Sequence, residues 1–208
     1  YSGVYHLHDD IVLSGPVEDS TGNNRDGVQG NGDGSGLNVE AYADGKIGRA
    51  MRSAASGEGR IVTFPASLMT TGSFTKHVWL RRDNADVWGG FFTTKGTSTD
   101  DPYSAGFGIN GDKQIMVSTR HNQNNLSDPN VFPTQSWEHC AFVYDSVAGS
   151  ASLYCNGVAV SNWPSGYLAP LETPTSVLLF GWQSSGGWSA APTEADEVRG
   201  SLTARSPD

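Results

Sequence analysis

Basic residues are scarce: 13 Lys and Arg stand against 22 Asp and Glu in 208 residues, a formal net charge of −9. Phosphate neutralisation takes clustered Lys and Arg, so nucleic acid is not an expected partner. The same charge disfavours an anionic membrane surface. Long apolar runs are missing as well. No stretch approaches the roughly 20 residues of a membrane-spanning helix, so membrane insertion is not expected. Helical periodicity of useful length does not occur. No Gly-x-Ser-x-Gly elbow, phosphate-binding loop, His-Glu-x-x-His or Cys-x-x-Cys is found. The chain opens on Tyr1, with no Met and no signal-peptide pattern, as expected of a piece of a longer exported precursor.

Glycine is plentiful instead, with 26 residues spread without period. That suits many tight turns between many strands. The flanking runs are rich in Val, Thr, Phe, Trp and Tyr, which favour pleated half-buried surfaces. Alternation and short apolar runs predict strands at 4–7, 60–64, 74–81, 90–94, 105–110, 114–119, 137–144, 151–155, 158–161, 176–181 and 195–200. Such a count predicts an all-β, two-sheet antiparallel sandwich or jelly roll. No repeat, linker or change of composition divides the chain, so residues 1–208 are read as one domain. Asn156-Gly157, between two apolar runs, predicts a type I′ hairpin turn because both residues tolerate positive φ. Residues 21–36 are dense in Gly, Asn and Asp and are expected to form a long irregular loop.

Cysteine is limited to Cys140 and Cys155. A turn centred between Val147 and Ala148 would set these two opposite each other on adjacent antiparallel strands, within disulfide reach. A bond there implies an oxidising compartment. Two buried free thiols are the alternative.

Several segments together resemble a known family. Gly3-Val4-Tyr5-His6-Leu7 looks like an opening strand, and Asp19-Ser20-Thr21-Gly22-Asn23 followed by Gly27 like an Asp-Ser-x-Gly-Asn loop. Gly45-Lys46-Ile47-Gly48-Arg49-Ala50, Ile61-Val62-Thr63-Phe64-Pro65 and Phe74-Thr75-Lys76-His77-Val78-Trp79 follow in order. Trp137-Glu138-His139-Cys140-Ala141-Phe142-Val143-Tyr144-Asp145 and Leu153-Tyr154-Cys155-Asn156-Gly157-Val158 look like a central hairpin. Asp196-Glu197-Val198-Arg199 looks like a closing strand. The set resembles the laminin-G-like, concanavalin A-like jelly-roll domains of bacterial extracellular proteins. Arg52-Ser53-Ala54-Ala55 departs from the pattern, and so does Cys155, where Val is usual.

The resemblance implies a secreted or cell-surface, non-catalytic binding module of a larger multidomain protein. Carbohydrate binding or adhesion, often with a structural calcium, is its expected role. A structural or protein–protein spacer module is the alternative. A glycan hydrolase or lyase is disfavoured. The paired-carboxylate motif that such enzymes need is approached only by Glu194-Ala195-Asp196-Glu197, which lacks the final Glu. If the first and last strands are neighbours, Asp19, Asn23 and Asp26 of the loop could converge with Asp196 on a hard, oxygen-seeking calcium ion. Alternatively Asp19 starts an Asx-turn and Asp196 pairs with a base such as Arg25 or Arg199. A sugar is held by aromatic platforms and polar groups. Trp88, Trp163, Trp182, Trp188 and Tyr103 lie in or beside turns, and Arg120 and His121 could serve as polar partners. Trp79 and Trp137, within strands, are expected in the core. His6 and His8 could share a strand face and bind a transition metal, but carry little weight.

Overall fold

A computed structural model describes residues 1–7, 15–30, 40–42, 44–53, 61–82, 89–96, 103–109, 114–118, 124–126, 135–163, 173–184, 187–189 and 193–206. The strands in chain order are β1 (Gly3–Tyr5), β2 (Val28–Gln29), β3 (Glu40–Tyr42), β4 (Ala50–Ser53), β5 (Val62–Pro65), β6 (Phe74–Arg82), β7 (Gly89–Lys95), β8 (Tyr103–Ile109) and β9 (Ile115–Ser118). They continue as β10 (Asn124–Leu126), β11 (Trp137–Asp145), β12 (Ser150–Cys155), β13 (Val158–Trp163), β14 (Ser176–Leu179), β15 (Trp182–Ser184), β16 (Gly187–Ser189) and β17 (Thr193–Ser201). A short 3-10 turn, Ala66–Leu68, follows β5.

Two antiparallel sheets form the sandwich. The eight-stranded sheet runs β13-β12-β11-β6-β17-β4-β3, with β1 also on β17, and the seven-stranded sheet runs β10-β9-β8-β7-β14-β5-β2. β15 and β16 make a separate ribbon. The expected pairing of first and last strands is present, with Gly3 opposite Gly200 and Tyr5 opposite Val198.

Alternation explains the core. Phe74, Val78 and Leu80 of β6 and Cys140, Phe142 and Tyr144 of β11 all face inward and are buried. They meet Val62, Phe64, Phe92, Val177 and Leu179 of the other sheet in one apolar cluster. Tyr5 packs on Phe64 across the interface, with ring centroids 4.3 Å apart. Lys76 shares the inward parity of Phe74 and Val78 and is fully buried. Its Nζ donates to Thr94 Oγ1 at 2.5 Å and lies 5.2 Å from the centre of the Phe92 ring.

The same parity corrects one expectation. Trp79 and Trp137 are not core residues. With Val78, Leu80 and Cys140 committed inward, positions 79 and 137 fall on the outer face of the eight-stranded sheet, where both are half-buried. Lys46 Nζ sits 4.4 Å from the Trp79 ring, and Trp137 Nε1 donates to the Asp44 carbonyl at 3.3 Å.

The hairpin expectations hold. Cys140 lies opposite Cys155, and Asp145 opposite Ser150 across the turn. Asp145 Oδ1 accepts from Val147 N and Ala148 N, which fixes that turn. Asn156 and Gly157 have φ of 49° and 77°, both left-handed as the β12–β13 turn requires.

Candidate functional site

The N-terminal loop is knitted around one carboxylate. Asp19 Oδ1 accepts from Val4 N, Thr21 N and Thr21 Oγ1 at 3.2, 3.0 and 2.8 Å. Its Oδ2 accepts from Arg25 N at 3.3 Å. This is the Asx-turn arrangement, extended to pin β1. Burial pushes the Asp19 carboxyl up, but the bonds from Thr21, Val4 and Arg25 outweigh it and hold it below the usual carboxylate value. Asp26 Oδ1 accepts from Asp19 N at 2.8 Å, and Asn23 Nδ2 donates to the Ser2 carbonyl at 3.2 Å. Arg25 also reaches the Ser2 carbonyl through its guanidinium. Tyr5 Oη donates to the Arg25 carbonyl at 2.7 Å.

Asp196 belongs to another network. It is fully buried in β17, where Oδ2 accepts from Ile47 N and Oδ1 from Glu197 N, each at 2.8 Å. Burial raises its proton affinity, against the opposing backbone N–H groups of Ile47, Glu197 and Lys46. Neither Arg25 nor Arg199 pairs with it. Arg199 instead meets Glu197 at 3.1 Å, and His6 Nδ1 lies 2.7 Å from the same carboxylate. Glu197 adopts φ of 50° at the bulge that interrupts β17 between Asp196 and Arg199.

The donor set of the loop suits a hard cation. Asp19 Oδ2, Asp26 and the Asn23 carbonyl all offer oxygen, the ligand calcium takes. The fit is open at Asp196, whose two oxygens are already engaged by backbone N–H groups. Among the described residues, no three His, Cys, Asp or Glu side chains converge as a metal cluster.

Of the expected sugar-binding residues, Trp88, Arg120 and His121 lie outside the described residues, as does His8. Only the backbone is described at Tyr103, Trp163, Trp182 and Trp188. Trp182 lies opposite Ser189 and Trp188 opposite Gln183 in the β15–β16 ribbon, so the two positions fall on opposite faces of it. The ribbon sits next to β7 of the seven-stranded sheet.

The outer face of the eight-stranded sheet carries a feature that reading by segments did not single out. Trp79, His139, His77 and Tyr1 form a row of rings, with successive centroids 5.3, 5.6 and 6.1 Å apart. Lys46 covers the Trp79 end. Arg205 and Arg199 cover the Tyr1 end at 4.3 and 5.7 Å. Beside the row is a cleft of about 60 Å³ lined by Thr75, His77, His139, Ala141, Val143, Tyr154, Gly157 and Ser206. Burial, the His139 ring and the Arg199 and Arg205 charges hold His77 down to about 4. Burial and Arg199 lower His139 as well, so both rings are neutral at physiological pH. The available signal was parity. Thr75, His77 and Trp79 alternate with core residues, as do Trp137, His139, Ala141 and Val143.

Two antiparallel sheets in this order, closed by the β1–β17 pair, define a concanavalin A-like β-sandwich. The sequence profile of the concanavalin A-like lectin/glucanases superfamily (Laminin_G_3) matches residues 56–208, and the chain belongs to that superfamily. Domain 4 of AbnA, a GH43 extracellular arabinanase from Geobacillus stearothermophilus solved with arabinotriose, is similar over 99% of this chain and 94% of that one. Its identity is 20% and its TM-score 0.70. The binding domain of Paraclostridial Mosquitocidal Protein 1 is similar at 11% identity and TM-score 0.68, over 99% of this chain and 49% of that one. Trypanosoma rangeli sialidase matches at 12% identity and TM-score 0.75. There the chain covers 99% of itself but only 31% of the sialidase. No curated protein sequence matches significantly. No helix among the described residues is long and apolar enough to cross a membrane.

Proposed function

We propose that the chain is a non-catalytic, extracellular carbohydrate-binding module of a larger protein. One observation carries this reading: the likeness to the arabinanase domain runs the whole length of both domains, and that domain was solved with arabinotriose. The sugar would lie against the β15–β16 ribbon beside the seven-stranded sheet, where Trp182 on one face or Trp188 on the other supplies a ring. Trp88, Trp163, Tyr103, Arg120 and His121 are the remaining candidates for contact. A calcium ion held by Asp19, Asn23 and Asp26, without the engaged carboxylate of Asp196, would stiffen the loop that pins β1.

A glycan array followed by calorimetry tests the binding. Neutral oligosaccharides should bind the folded, calcium-supplied protein, and substitution of Trp182 and Trp188 together by Ala should abolish binding. No glycan bound by such a sample overturns the reading. Release of reducing sugar from a polysaccharide would overturn its non-catalytic part. An ion present at a thousand times its dissociation constant adds about 4 kcal/mol of stability. EDTA should therefore lower the melting temperature by several degrees. An unchanged melt, in protein first shown to contain calcium, refutes the metal site.

A further inference from the structure

We propose that the outer face of the eight-stranded sheet is a second binding site, one that takes carboxylated sugars of the uronic-acid type. It is separate from the β15–β16 ribbon and independent of whether that ribbon binds a neutral glycan.

Charge sets this face apart. The chain as a whole carries −9, which repels anions. Yet cations stand at both ends of the ring row, Lys46 at Trp79 and Arg199 with Arg205 at Tyr1. Arg199 is committed to Glu197. Arg205 is committed to no carboxylate of the described residues. Its Nε donates to Ser201 Oγ at 2.9 Å and its backbone N to Thr75 Oγ1 at 3.0 Å. Among the described residues its two terminal guanidinium nitrogens meet no carboxylate or carbonyl, although a guanidinium fork matches a carboxylate in two places.

Next to this cation the surface has the chemistry of a sugar site. Ala141, Val143 and Tyr154 give the cleft an apolar side, and Thr75 and Ser206 give it hydroxyls. His77 Nε2 is buried with no hydrogen-bond partner among the described residues. A buried polar atom left unpaired is costly, and a ligand hydroxyl would satisfy it. Because both imidazoles are neutral, they offer ring faces and single donors or acceptors without repelling or neutralising the ligand. An acidic peptide would use the arginine but not the row of rings, and so the sugar is favoured.

Titration of isotope-labelled full chain with trigalacturonate, followed by amide chemical shifts, tests the site. Thr75, His77, His139, Ala141, Tyr154 and Ser206 should shift. Arabinotriose, triglutamate and acetate at matched ionic strength should leave these six unmoved. Arg205→Ala should weaken trigalacturonate binding at least about tenfold, as loss of a charge-assisted pair does, and Arg205→Lys should recover part of it. Arg205 is exposed, so neither change threatens folding. Unmoved amides with trigalacturonate overturn the proposal, as does wild-type affinity in Arg205→Ala. Equal shifts with triglutamate, acetate or arabinotriose overturn the sugar class. Failure of the ribbon to bind is read separately, from residues 182–189 in the arabinotriose arm.

Discussion

Reduction of the Cys140–Cys155 pair is the sharpest perturbation the fold offers. The two residues are opposite each other in β11 and β12, both buried, with sulfurs 3.6 Å apart as free thiols. Asn156 N donates to the His139 carbonyl at 2.8 Å, so 139 and 156 are a hydrogen-bonded pair. The next pair, 140 and 155, is then a non-hydrogen-bonded one, where Cα atoms approach to about 4.5 Å and side chains are closest. A bond across it needs little movement of either strand. Closing a loop of about 15 residues constrains the unfolded chain by roughly 3 kcal/mol. For a domain of this size that is a melting shift of about 6–12 °C. The comparison is wild-type protein exported to an oxidising compartment, unfolded and refolded with or without reductant. Both forms keep the same buried atoms, so no cavity confuses the result. Reoxidation of the folded, reduced form should be slow, because the neighbouring Cys155 thiol and burial push the Cys140 thiol well above its ordinary value and suppress the thiolate. The oxidised sample should show no titratable thiol in denaturant, and scanning calorimetry should show the shift. Two titratable thiols in the exported protein, or a shift under about 2 °C, would refute the reasoning.

Two further outcomes follow from the packing. Lys76 is buried, and burial depresses its proton affinity well below the ordinary lysine value in the folded state. Between that depressed value and the ordinary one the unfolded chain binds more protons, so stability rises with pH across the window and falls as pH drops. Lys76→Met should flatten this slope and add about 1 kcal/mol at neutral pH, since removing the desolvation outweighs the lost polar contacts, the bond to Thr94 among them. Urea unfolding from pH 6 to 9 (about the buffered range on either side of neutrality) checks it, and parallel curves for the two proteins would sink the idea. Gly108 lies where an added Cβ would stand 2.3 Å from the Gly89 carbonyl oxygen, a backbone atom of the paired strand. Gly108→Ala should therefore force β7 and β8 apart and cost about 1–3 kcal/mol, read as a lowered denaturation midpoint with unchanged slope.

Much of the sandwich was readable because hairpins are local. The spacing around Val147 and Ala148 determined the facing of Cys140 and Cys155, and Asn156-Gly157 determined the next turn. Strands as short as Val28–Gln29, Glu40–Tyr42 and Ala50–Ser53 were not read. They carry too few residues for alternation to register, and they exist because longer neighbours template them. Trp182–Ser184 and Gly187–Ser189 passed for turn because Ser and Gly dominate the run. Trp79 and Trp137 look like core residues by size, and only parity puts them on the outer face. The ring row was out of reach for another reason. His77 and His139 meet only through the register of β6 on β11, where His77 faces Ala141 and His139 faces Trp79. Segments 62 positions apart in sequence do not announce their mutual offset. In the N-terminal loop the sequence displays a cluster of oxygens compatible with either an ion or an Asx-turn, and the hydrogen bonds of Asp19 form the turn.

The pairing of β1 with β17 has a mechanical consequence. The strands are antiparallel, with Gly3 beside Gly200, and Ser2 N donates to the Gly200 carbonyl at 2.8 Å. The chain therefore enters and leaves the sandwich at one spot. Tension applied to both ends would peel β1 from β17 one bond at a time, like a zipper, instead of shearing the ladder all at once. A folded unit with such neighbouring attachment points adds almost no contour length to whatever carries it. It hangs from its tether as a pendant, free to swivel, and yields at low force.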